Sequence, residues 1–66
     1  MTEEFIKIVD EYIDRFIASN LAMIKITDEK YPQKLLKKYL LLRIKERGLT
    51  KITSYTFMNE LYLEKI

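Results

Sequence analysis

Hydrophobic residues near the start of the chain recur with the spacing of an amphipathic helix. At 100° per residue, the apolar side chains fall on one face: Phe5, Ile6, Ile8, Val9, Tyr12, Ile13, Phe16 and Ile17. Thr2 is suited to cap this helix, and Glu3 and Glu4 suit the positive end of its dipole. The pattern predicts a first helix over residues 2–19.

A second periodic segment covers residues 32–47 and carries a wider apolar arc. Residues 27–29 have the composition of a helix start, Pro32 suits a first turn, and Gly48 suits the position after the last turn. The apolar positions spread over roughly 200° of the helix: Leu35, Leu36, Tyr39, Leu40, Leu42 and Ile44. An arc this wide suits a helix with two neighbours, so we expect this helix to be central.

The remaining segments decide the fold class. Residues 54–64 carry an apolar stripe that predicts a third helix, with Thr53 or Ser54 as its cap. The first expectation is therefore an all-α fold, a small three-helix, bundle-like single domain over residues 1–66. Residues 23–26 and 49–53 contain β-branched residues and leave helix or strand open for 20–27 and 49–53. If those two stretches pair as short strands, the fold is α+β.

Composition argues against catalysis and against metal or cofactor binding. The 66 residues include no Cys, no His and one Gly. The chain therefore has no thiolate nucleophile, no imidazole base or ligand, and no glycine-rich phosphate loop. Asp10, Glu11 and Asp14 lie close together on the first helix, where we interpret them as a solvated face rather than an acid–base or Mg²⁺ site. We expect no enzyme, no cofactor and no metal.

The net charge of +2 is unevenly distributed along the chain. Residues 1–29 carry seven acidic and three basic side chains, whereas residues 30–51 carry eight basic ones against Glu46. Four lysines share one side of the second helix, with Leu41 among them, and form what we call the lysine face: Lys34, Lys37, Lys38 and Lys45. Such a charge run is usually a solvated face, but it also suits contact with phosphates or an acidic protein surface.

Arg43 and Arg47 project from the apolar side of the same helix. The ordinary interpretation is that the Arg43 stem covers apolar surface while its head reaches water. The functional interpretation is that this side faces a carboxylate of a partner. The two arginines and the lysine face are the predicted contact residues for a partner or a nucleic acid.

These features predict a non-catalytic protein-interaction module, either a homo-oligomer or an accessory or regulatory subunit of a larger assembly. A partner surface would help a chain this short, since small domains bury little of their surface. The alternative is a small nucleic-acid-binding protein, helix-turn-helix-like, that contacts phosphates through residues 30–51. We expect no membrane contact and no small-molecule substrate. The acidic start does not match a secretory signal, so we expect a cytoplasmic protein.

Overall fold

The computed structural model describes residues 2–66, with side chains from residue 3 onward. The chain forms two helices and three strands. In chain order they are α1 Thr2–Ala18, β1 Met23–Ile26, α2 Gln33–Glu46, β2 Ile52–Phe57 and β3 Glu60–Lys65. The strands form one antiparallel sheet in the order β1-β3-β2. Buried side chains from all five elements form one core between the helices and one face of the sheet.

Helix α1 confirms the prediction made from its periodicity. It begins at Thr2 and ends at Ala18, one residue before the predicted end. Four residues of the predicted face are buried in the core: Phe5, Val9, Ile13 and Phe16. The Ser19 hydroxyl donates a 2.8 Å hydrogen bond to the Phe16 carbonyl, which satisfies a backbone acceptor at the end of the helix. The side chain of Thr2, the proposed cap, lies outside the described residues.

Helix α2 ends as its glycine predicts. Gly48 has a φ of 66°, in the left-handed region that glycine adopts without steric cost. Its N–H donates to the Lys45 carbonyl at 3.1 Å, and the Leu49 N–H donates to the Ile44 carbonyl at 3.0 Å. This pair of bonds is the Schellman motif. Helix α2 contacts both α1 and β2, in agreement with the two neighbours predicted for it.

The predicted third helix is wrong, and with it the all-α three-helix fold. Residues of the predicted helix 54–64 instead form most of a hairpin made by β2 and β3. Leu61 and Leu63 point into the core with 1% and 0% exposure, and Tyr62 between them lies on the other face. A short apolar stripe fits a period of 3.6 or of 2, and here the β-branched and aromatic residues favour the strand.

The α+β alternative has the correct class but not the correct pairing. Strand β1 covers the predicted residues 23–26, whereas β2 begins at Ile52, later than predicted, and continues to Phe57. The two strands do not pair with each other in residues 2–66, because β3 lies between them and pairs with both. Ser54, one of the proposed caps, is 5% exposed and its hydroxyl donates to the Tyr62 carbonyl at 2.9 Å.

The turn between β2 and β3 places two non-glycine residues in the left-handed region. Met58 and Asn59 have φ values of 52° and 64° and join the paired residues Phe57 and Glu60. Two-residue hairpin turns with both φ values positive favour Asn and Gly. A methionine in this conformation costs about 1–2 kcal/mol, and 80% of Met58 is exposed. The Met58 side chain therefore makes little core packing that could offset the strain of its backbone.

Residues 27–32 form a loop held by Asp28, so the helix start predicted at 27–29 is wrong. One Asp28 oxygen accepts hydrogen bonds from the backbone N–H groups of Lys30 and Tyr31, at 2.8 and 3.3 Å. The other accepts the Tyr12 hydroxyl at 2.9 Å. The Lys30 and Tyr12 bonds are the main reasons that the pKa of Asp28 lies below its ordinary value. Burial and the Asp28 bond raise the pKa of Tyr12.

Asp28 should make the folded state sensitive to acid. Since its pKa is lower in the folded chain than in the unfolded one, its stabilisation is present above about pH 4 and is lost as the pH falls. In urea unfolding, Asp28→Asn should have a lower midpoint than the wild type at pH 7, and the difference should shrink towards pH 2. A difference that stays constant across this range would contradict the role of the Asp28 charge.

Candidate functional site

The two arginines of the predicted contact set bind carboxylates of the same chain. Arg43 Nε and Nη2 donate to the two oxygens of Asp10, at 3.0 and 3.1 Å. These side chains are only 24% and 26% exposed. Arg47 Nη2 donates to Asp14 at 2.8 Å. The bond to Asp10, followed by the bond to Glu46, raises the pKa of Arg43. The carboxylate that the functional interpretation of Arg43 placed on a partner is therefore supplied by α1.

The same contacts give the acidic residues of α1 a role that the sequence analysis missed. Asp10 and Asp14 connect α1 to α2, and Glu11 pairs with Arg15 at 2.6 Å on the helix surface. Interpreting the three carboxylates as merely a solvated face was incomplete. Asp10 and Asp14 are four residues apart, as are Arg43 and Arg47. That matched spacing is the signal from which the contact between the helices could have been predicted.

The lysine face is open to solvent. Lys34, Lys38 and Lys45 are exposed on α2, and Lys37 is half-buried with its Nζ 3.5 Å from Thr56 Oγ1. Within residues 2–66, none of the four lysines forms an ion pair with a carboxylate. The structure thus separates the predicted contact residues into two arginines that are paired and four lysines whose charges are available.

Three leucines share the solvent-exposed side of α2 with the lysines. Leu35, Leu41 and Leu42 are exposed by 39%, 39% and 41%. Leu35 and Leu42 were expected in the apolar arc facing the core, and the structure corrects this. The buried stripe is narrower and consists of Leu36, Leu40 and Ile44. The face available to a partner is consequently both basic and partly apolar.

A groove separates the first half of α2 from the turn of the β2–β3 hairpin. We call it the basic groove, and its lining is as follows: Gln33, Lys34, Lys37, Thr56, Met58 and Asn59. The two ammonium groups are its charged members, and the other polar side chains carry amide or hydroxyl groups. A groove with this lining suits an anionic strand. The sequence analysis missed it because the hairpin residues were assigned to a helix.

Tyrosine rings can stack on nucleic-acid bases, but the tyrosines of this chain lie away from the lysine face or are engaged in other contacts. Tyr55 and Tyr62 stack on each other on the outer face of the sheet, with ring centroids 5.7 Å apart. The Tyr55 hydroxyl also contacts Met23 Sδ at 3.0 Å. Tyr12 and Tyr39 pack against the core, as predicted. The outer face carries Glu64 and an ion pair between Lys25 and Glu60 at 3.7 Å, so its charges are largely balanced. The candidate site is therefore the lysine face with the basic groove.

Comparison of the chain with protein families, with curated proteins and with solved structures finds no match. The interpretation of the site therefore rests on the geometry and charge of the chain itself. Neither helix in the described part of the chain is long and apolar enough to cross a membrane.

Proposed function

We propose that this protein binds the backbone of double-stranded DNA through the lysine face of α2 and the adjoining basic groove. The observation that carries the proposal is the set of four lysines on one exposed helix side, none of them paired with a carboxylate of residues 2–66. Ammonium groups that replace condensed counterions are the main source of affinity in sequence-independent DNA binding.

The chemistry of this face favours phosphates over base edges. Lysine is a flexible point charge, whereas base reading relies on planar, bidentate groups such as arginine. The two arginines of α2 are already held by Asp10 and Asp14. An α-helix fits the major groove of B-DNA, where the exposed leucines have thymine methyl groups to contact. The deep, narrow major groove of an RNA duplex does not admit a helix.

The proposal retains one part of the nucleic-acid-binding alternative predicted from the sequence and abandons another. Phosphate contact by the basic segment 30–51 is kept, now limited to the lysine face and the adjoining basic groove. The helix-turn-helix form required a reading helix over 54–64, and the structure has a hairpin there, so that form is wrong. The absence of catalysis and the cytoplasmic location remain predictions and belong to this proposal.

The test is binding of a fluorescent duplex of mixed sequence, followed by anisotropy at several salt concentrations. Four phosphate contacts predict a slope of log affinity against log salt near about −3.6, or roughly a 100-fold loss between 50 and 200 mM salt. An RNA duplex of the same length is the matched control and should bind more weakly, because its major groove does not admit a helix. No measurable binding to the duplex at 50 mM salt would contradict the proposal.

A second candidate function is binding of an acidic protein partner, which keeps the interaction module predicted from the sequence. The observation in its favour is the three exposed leucines beside the lysines. Pairing this face with a second copy would bring like charges together, which disfavours a homo-oligomer through α2. No measurable affinity for the DNA duplex at 50 mM salt would leave an acidic protein partner as the candidate for this face.

A further inference from the structure

The β2–β3 hairpin exposes two apolar side chains that are neighbours in sequence, Phe57 on the outer face of the sheet and Met58 in the turn. Phe57 is 59% exposed and Met58 is 80% exposed. The Met58 backbone is in the left-handed region, where Gly or Asn would be accommodated more easily. Neither core packing nor turn geometry therefore explains a methionine at this position. An exposed residue that the fold itself does not favour points to a role in binding.

The hairpin tip lies across the basic groove from two lysines, and this position restricts the kind of partner that the tip can contact. Met58 and Asn59 line one side of the basic groove, and Lys34 and Lys37 of α2 line the other. A strand lying in the groove must therefore be anionic. On a DNA duplex, the sugar–phosphate backbone is the ridge between the major and minor grooves. Elements on either side of one backbone strand consequently enter opposite grooves.

We infer that Met58 inserts as an apolar wedge between neighbouring bases from the minor groove of a DNA duplex whose backbone occupies the basic groove. The inference rests on the proposed function and adds a deformation of the DNA to it. Apolar side chains of this kind, methionine and phenylalanine included, enter the minor groove in DNA-bending proteins, where they partly unstack a base step and kink the duplex. Flexible pyrimidine–purine steps are the preferred sites, because they unstack most readily.

The experiment uses the full chain and a short duplex that carries 2-aminopurine at a central TA step. The fluorescence of this base analogue rises when it loses its stacked neighbours. Wild-type protein should produce a several-fold rise that saturates at the same protein concentration as the anisotropy of a labelled duplex. Met58→Gly should bind the duplex with similar salt dependence and lose the fluorescence rise.

Met58→Gly also serves as its own control for folding. Glycine relieves the left-handed strain at this position, so the variant should unfold at a higher urea concentration than the wild type. The matched control is Met23→Thr, which removes another exposed methionine from the edge strand β1, where Met23 pairs with Glu64 at the end of β3 away from the turn. It should keep both duplex binding and the fluorescence rise.

The outcomes separate the wedge from the function on which it rests. Duplex binding without a fluorescence rise, or a rise that Met58→Gly retains, would overturn the wedge and leave DNA binding intact. No duplex binding by anisotropy would overturn both. Binding of vesicles containing phosphatidylserine, lost in Met58→Gly, together with no rise on the duplex, would show that the tip enters a bilayer instead.

Discussion

Reversing the charges of Lys34, Lys38 and Lys45 together to glutamate should abolish duplex binding. Three of the four lysines of the face would then repel phosphates instead of displacing counterions. We expect affinity at 50 mM salt to fall by at least roughly 100-fold, and the remaining salt dependence to become shallow. Fluorescence anisotropy with the duplex used for the wild type measures both quantities. All three side chains are exposed, so the variant should fold.

The matched control reverses three exposed lysines outside the lysine face, namely Lys7, Lys30 and Lys51. It changes the net charge by the same amount, so it separates the local arrangement of charge from the overall charge. This control should lose much less affinity than the first variant. Equal losses of affinity in the two variants would show that α2 is not the binding surface. The affinity would then come from the overall positive charge of the protein.

Replacing Leu63 by alanine should remove a large part of the stability of the fold. Leu63 lies in β3, the central strand, with 0% exposure. Truncating a buried leucine to alanine costs about 2–5 kcal/mol. A domain of this length has a free energy of unfolding of roughly 3–10 kcal/mol. Urea unfolding followed by circular dichroism should show a far lower midpoint, or a chain already partly unfolded without urea.

Leu42→Ala is the same chemical change at a position that is 41% exposed. Because it creates no cavity and alanine favours helix, its free energy of unfolding should change by less than about 1 kcal/mol. If the two alanine variants lost stability equally, the assignment of Leu63 to the core would be wrong.

Sequence periodicity located the two helices that the chain forms. The apolar face of α1 gave its position to within one residue, and Gly48 gave the end of α2. The width of the apolar arc on α2 was misleading, since Leu35 and Leu42 are exposed. In a helix rich in leucine, the pattern alone does not show which leucines face the core, because that depends on where the neighbours lie.

The hairpin was the main failure, for a physical reason. Its turn carries Met58 and Asn59 rather than the Asn-Gly pair that signals a two-residue turn. Without that signal, the apolar residues on either side fit one helix as well as two strands. The error also concealed the basic groove, since half of its lining comes from the hairpin. The lysine face was found because it depends on one helix, which the sequence placed correctly.

The sheet order has a consequence for how the chain acquires its structure during synthesis. The central strand β3 follows both of its neighbours along the chain, and Met23 pairs with Glu64, about 40 residues later, a separation that slows folding. While a ribosome makes the protein, β1 emerges early and has no β3 to pair with. Helix α2 emerges next and packs on α1, but the apolar side of β1 stays uncovered until the hairpin arrives, and in this interval the growing chain is open to aggregation.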